Sequence, residues 1–143
     1  MNHPSIEVWQ KRRYWIDKEL EDAEVGVHDC CDHAIALFFD MCISYCAGAW
    51  ISVIAVSISV IDAHLRGVEA MDDKVGTAKL LNEYYTGDNI NWLRKLRNSY
   101  VHFDTNKDIL DLNAHFENQV IMEKDATIAM KVTIKALFQN PGC

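Results

Sequence analysis

The chain has 143 residues, of which 14 are Lys or Arg and 21 are Asp or Glu, for a formal net charge of −7. That length matches one compact domain spanning residues 1–143 and no second catalytic module, and a half-hydrophobic composition with two prolines excludes a disordered or linker-dominated chain. The acidity excludes bulk attraction to nucleic acid or an anionic membrane, so phosphate contacts have to come from local clusters: Lys11, Arg12 and Arg13, or Arg94, Lys95 and Arg97.

Five cysteines, Cys30, Cys31, Cys42, Cys46 and Cys143, form an odd set with no CxxC pair, which argues against a disulfide framework. Residues Met1 to Tyr14 hold Glu7 and a Lys-Arg-Arg cluster and lead into no apolar secretory core. A cytoplasmic location is the expectation.

Ser5 to Val25 carries apolar residues at helical spacing, with Pro4 ahead, an acidic solvated half from Asp17 to Glu24, and Gly26 near the stop. His28-Asp29-Cys30-Cys31-Asp32-His33 is a dense run of potential ligands. Its spacing suits neither a closed zinc site nor a redox pair, and the expectation is a helix start capped by Asp29 or Asp32. Cys42 and Cys46 read as small core residues.

Met41 to Ile61 is 21 residues without a formal charge, long enough for a membrane span. Four serines interrupt it, Asp40 and Asp62 flank it, and no basic cluster marks either edge, so a buried core helix is expected instead. Ser44, Gly48, Ser52, Ala55, Ser59, Asp62 or Ala63, and Arg66 make a small-residue stripe expected at the centre of a bundle. One helix from Cys31 to Arg66 would be about 54 Å long, too long for such a domain, so a break is expected near Cys46 to Gly48.

A short helix is expected from a Thr77 cap to about Tyr85, ended by Gly87, and the next from about Asn89 to His102, capped by Asp88 or Asn89. Leu93, Leu96 and Tyr100 give the latter a core-facing stripe. A polar stretch, Asp104 to Asp108, is followed by a short segment from Ile109 to Phe116. The last helix is expected over about Asp125 to Phe138, with Ile128, Val132 and Leu137 inward, and Pro141-Gly142 follows it. Gln119 to Met122 suits a short strand but has no partner strand. The fold class is therefore all-α, a single-domain up-and-down bundle of about five or six helices.

The informative segment is Arg97-Asn98-Ser99-Tyr100-Val101-His102. Five residues on an ideal helix turn through about 500°, leaving Arg97 and His102 about 140° apart, while Asn98 shares the His102 face. Convergence needs either a distorted helix end at Tyr100 to His102 or a second chain. An imidazole that titrates near neutrality can move the proton of a ribose 2′-hydroxyl, and a permanent guanidinium can hold the phosphate. Asn98 can position either group, and no metal is demanded. The plain alternative is a surface arginine and a helix-terminal histidine favoured by the dipole.

These six residues resemble the R-x4-6-H signature of HEPN domains, and Asp62-Ala63-His64-Leu65-Arg66 resembles the acidic-x3-basic pattern of many members, with Asp where Glu is commoner. The resemblance implies an all-α, commonly dimeric fold. It also implies a metal-independent endoribonuclease, a toxin or phage-defence effector, with Arg97, His102 and Asn98 in a cleft built from two protomers. Asp62 and Arg66 would support it, Arg94 and Lys95 would bind RNA phosphate, and no cofactor is implied. An antitoxin or regulatory protein is a further implied partner, and no membrane is. Toxins paired with a nucleotidyltransferase usually carry a tyrosine two residues after the histidine; here Phe103 and Asp104 follow. Asp62 and Arg66 equally form an i,i+4 ion pair. The alternative function is a non-catalytic HEPN-like module for dimerisation or for nucleotide or partner binding.

His64, His115 and His3 have no partner at catalytic spacing, and Trp9, Trp15, Trp50 and Trp92 are expected as core or interface anchors. The interleaved aromatics of single-strand binders are absent.

Overall fold

The computed structural model of the protein describes residues 2–24, 29–70, 73–85, 88–102 and 111–139. Among them are seven α-helices and no strand: α1 (Ile6–Ala23), α2 (Asp32–Ala47), α3 (Trp50–His64), α4 (Thr77–Tyr84), α5 (Asp88–Val101), α6 (Leu112–Glu117) and α7 (Gln119–Leu137). A π turn, Leu65–Glu69, extends α3. The all-α expectation holds, with more helices than the five or six anticipated.

Ser5 caps α1 by accepting the Val8 N–H at 3.3 Å. The expected break falls at Gly48, whose φ of 79° lies in the left-handed region and ends α2. Arg12 closes this turn. It donates to the Cys46 carbonyl, one of the acceptors a helix end leaves open, at 3.1 Å, and its guanidinium lies 4.7 Å from the Trp50 ring centroid. Part of the first basic cluster therefore serves the fold.

The start of α2 differs from expectation: Cys31 is the cap, not Asp29 or Asp32. Its sulfur accepts the Ala34 N–H at 3.4 Å, and its thiol donates to the Ala63 carbonyl at 3.3 Å. The beginning of α2 is thus tied to the end of α3. Likewise Gly76, not Thr77, precedes α4, with no side-chain cap. Gly26, His28, Gly87, Phe103, Asp104 to Asp108, Pro141, Gly142 and Cys143 lie outside the described residues.

α3 is covered by α2, α5 and α7, and α1 lies across α2 and α7. Its Val53, Ile54, Ile58, Val60 and Ile61 are buried in one core cluster with Met41, Leu80, Leu81, Leu93, Met122 and Met130. Ser57 is buried as well and returns its hydroxyl to the Ile54 carbonyl at 2.7 Å. The small-residue stripe does not lie at the centre: Ser52 and Ser59 are exposed and Ala55 is half-buried. Branched side chains take the interior because they remove more apolar area from water. By length and composition the helical stretch Trp50–Val68, with mean hydropathy 1.6, is able to cross a bilayer; in the bundle less than half of it is buried.

The final helix begins at Gln119, so the Gln119 to Met122 segment is helical. Its inward face is Met122, Ala126, Ala129, Met130, Thr133, Ile134 and Leu137, while Ile128 is exposed and Val132 half-buried. Leu137 is inward as expected and Val132 packs against the core's edge, while Ile128 is displaced because alanines and a self-satisfied threonine, bonded to the Ala129 carbonyl at 2.8 Å, allow close approach to α3.

A Cβ at Gly67 would lie 2.8 Å from the Cys31 Cβ and Sγ, whereas a Cβ at Gly76 would meet nothing within 4 Å. Gly67→Ala should therefore cost about 1–3 kcal/mol in urea unfolding, the range for overpacking, and Gly76→Ala should stay within about 1 kcal/mol of wild type.

Candidate functional site

α5 is oriented by its apolar side. Ile90 and Leu93 are buried, and Leu96 and Tyr100 pack against the same core, as their spacing requires. Tyr100 adds a directional tie, its hydroxyl donating to the Asp125 carboxylate on α7 at 2.9 Å. Burial pushes the Tyr100 phenol up to about 12, with the Asp125 bond and charge adding to the shift. With that side fixed, Asn91, Arg94, Lys95, Asn98 and His102 recur at steps of three and four along one outward flank.

Arg97 and Asn98 are half-buried and His102 is exposed. The His102 backbone N–H still donates to the Asn98 carbonyl at 3.0 Å, which continues the helical pattern to that residue. α5 itself ends at Val101 and His102 follows in a bend, and ideal helical spacing would leave Arg97 and His102 about 140° apart within one chain. Among the described residues, Arg94 Nε, Arg97 Nε and Asn98 Oδ1 are shielded from solvent without a hydrogen-bond partner. Three such atoms within five positions are unusual, since each costs on the order of 1–3 kcal/mol while unsatisfied.

Asp62 and Arg66 sit on α3 and its π turn and bind each other at two points, Arg66 Nε to Asp62 Oδ2 at 2.8 Å and Nη2 to Oδ1 at 3.0 Å. The i,i+4 ion pair is therefore formed. α3 packs against α5, so the pair belongs to a helix that supports the candidate flank.

Arg94 and Lys95 line a cleft of about 440 Å³ between α4 and α5, together with Asn82, Asn91 and Trp92. Trp92 is 37% exposed and no part of the core, which sets aside the core half of its reading as a core or interface anchor. Of the other three tryptophans, Trp50 is buried and Trp9 and Trp15 pack against the core. The missed residues are Asn82, Asn91 and Trp92, and no pattern within either segment marked them, because Asn82 reaches the others only through the packing of α4 on α5.

Cys30, Cys31, Cys42 and Cys46 are free thiols. Burial, then Cys46 and Asp17, pushes Cys42 up to about 12, which keeps it protonated and unreactive. Among the described residues no group of three or more His, Cys, Asp or Glu side chains is placed to hold a metal ion.

A separate exposed apolar face runs over α6 and the start of α7: Leu112, Phe116, Val120 and Ile121, with Val120 80% exposed. No protein-family model matches the chain, and no curated protein or solved structure matches it significantly.

The Tyr100 shift gives a signed expectation. Its folded value lies above the usual 10, so its contribution is full below about pH 10 and is lost as pH rises toward about 12. Tyr100→Phe should lower stability by about 1 kcal/mol at neutral pH and flatten that alkaline decline, read by urea unfolding across pH 9–12.

Proposed function

We propose that the chain is a HEPN-like, metal-independent endoribonuclease acting in the cytoplasm, with Arg97 holding the scissile phosphate, His102 moving the proton and Asn98 positioning one of them. The observation that carries this reading is that Asn98 Oδ1, buried and unsatisfied, stands one turn before the solvent-open His102 on the outward flank of α5, with the equally unsatisfied Arg97 Nε at the flank's border. An oxyanion is the partner the Arg97 guanidinium suits, whereas Asn98 Oδ1 is an acceptor that suits an N–H or O–H such as the imidazole or a ribose hydroxyl, and Arg94 and Lys95 extend the positive field along the same helix.

The reaction is an attack of the ribose 2′-oxygen on its own 3′-phosphorus. His102 removes the 2′-hydroxyl proton, the 2′-oxygen-to-phosphorus bond forms, and the bond to the 5′-oxygen of the next nucleotide breaks. A protonated imidazole supplies the proton that the leaving oxygen takes. Arg97 stabilises the charge that builds on the non-bridging oxygens. The products are a 2′,3′-cyclic phosphate and a 5′-hydroxyl.

Because one chain spreads Arg97 and His102 apart, the reading includes a second copy whose motif completes the cleft, and a homodimer gives base and acid one imidazole each. The uncovered Leu112, Phe116, Val120 and Ile121 supply apolar surface for such an association. Asp62 and Arg66 would stiffen the helix behind the site. A toxin or phage-defence role, restrained by an antitoxin or regulatory protein, follows from the same resemblance.

A second reading is a non-catalytic dimerisation, nucleotide-binding or partner-binding module on the same helix. The net charge of −7 and the divergence of Arg97 and His102 favour it.

Cleavage of a mixed RNA pool in excess EDTA separates the two. The wild type should produce cyclic-phosphate ends, and His102→Ala and Arg97→Ala should each lose about 10²–10⁴-fold in rate. Mixing the two variants should not restore the wild-type rate, because a mixed dimer holds one His102 imidazole where the reaction uses two. Unchanged cleavage in both variants would sink the nuclease, and no cleavage by any chain would leave the binding module in its place.

A further inference from the structure

The cleft between α4 and α5 has a composition unlike the rest of this acidic molecule. Asn82 enters from α4, and Asn91, Trp92, Arg94 and Lys95 from α5; among the described residues no carboxylate lines it. Arg94 Nε is shielded there without a hydrogen-bond partner among the described residues. Trp92 leaves more than a third of its surface to solvent at the rim.

Each component selects the same ligand chemistry. An indole partly open to solvent can stack on a planar ring, and two carboxamides present donors and acceptors to its polar edge. Two neighbouring cations attract a phosphate attached to it. A volume of about 440 Å³ falls within the usual range for a small-ligand site. Splayed bases of single-stranded RNA are recognised by this combination of stacking and edge bonding.

We infer that this cleft is a subsite for one unpaired nucleotide of a single-stranded RNA, with the base against Trp92, its edge on Asn82 and Asn91, and its phosphate on Arg94 and Lys95. The inference rests on the reading of α5 as an RNA-binding helix. From Asn91 to His102 the flank runs about 16 Å, more than one nucleotide needs, so the base held in the cleft flanks the reacting bond. The cleft therefore sets which sequence is presented to Arg97 and His102.

The test uses the full-length chain and a fluorescently labelled, fully 2′-O-methylated RNA hexamer, which lacks the attacking hydroxyl and stays intact. Anisotropy titrations should show Trp92→Ala binding about tenfold more weakly than wild type, the scale of one lost base stack, and Trp92→Phe within about threefold. Asn82→Ala should weaken binding several-fold, while Tyr14→Ala, which removes an exposed aromatic on α1, should change nothing. Unfolding curves identify any variant that has lost its fold, and the exposed Trp92 makes that outcome separable through the phenylalanine variant.

Equal binding by wild type and Trp92→Ala overturns the subsite, as does failure of the wild type to bind the hexamer. Free adenosine or uridine monophosphate binding as tightly as the hexamer also overturns it, because the cleft would then be a site for free nucleotide. Cleavage in EDTA is read independently. Trp92-dependent binding without cleavage leaves the subsite standing while the nuclease fails; cleavage with Trp92-independent binding does the reverse.

Discussion

A helix with no charged side chain between Trp50 and Ile61 has to be hidden from water along most of its circumference, and the arrangement of the other helices follows from how that is done. α2, α5 and α7 each cover part of α3. The strip left open carries Ser52 and Ser59, whose short hydroxyls meet solvent at little cost. On the covered sides the one polar side chain in the middle of the helix, Ser57, bonds back to Ile54 and so brings no unsatisfied group into the interior.

Covering α3 fixes the rotation of α5. Ile90, Leu93, Leu96 and Tyr100 are committed to the core, and the Tyr100 hydroxyl has an acceptor on α7. A helix turns about 100° per residue, so once those four positions point inward the positions between them have no choice but to form an outward polar flank. The candidate chemistry thus depends on a packing demand generated by another helix. It also explains why Arg97 is half-buried rather than free: it sits at the border between the core stripe and the flank, where its Nε is shielded from solvent.

Much of this was legible in the sequence. The 3.6-residue pattern of Leu93, Leu96 and Tyr100 gave the orientation of α5, and an overlong apolar run with Gly48 in its middle gave the break that the left-handed glycine makes. Three features were not legible, each for a physical reason. The small-residue stripe was assigned inward because small residues permit close helix contact, yet larger side chains won the interior by area. Gln119 to Met122 read as strand-like because α7 starts without a side-chain cap, the usual local marker of a helix beginning. Asn82 and Asn91 meet only through the packing of α4 on α5, so no pattern within either segment announces the cleft.

The acidity of the chain and its basic flank are two halves of one electrostatic arrangement. Nonspecific attraction of a polyanion falls with net negative charge, and at physiological ionic strength the Debye length is about 8 Å, so distant carboxylates lose their influence at the flank. On the proposed reading, RNA would be drawn to Arg94, Lys95 and Arg97 only after close approach, and a strand held by these few cations alone would stay weakly bound. Affinity has to come from groups that act at contact, such as an aromatic face and amides, which salt does not screen. In the proposed dimer a second copy would add its own flank and double the local cationic set, so the same association that would bring Arg97 toward His102 would also strengthen the field that a strand meets.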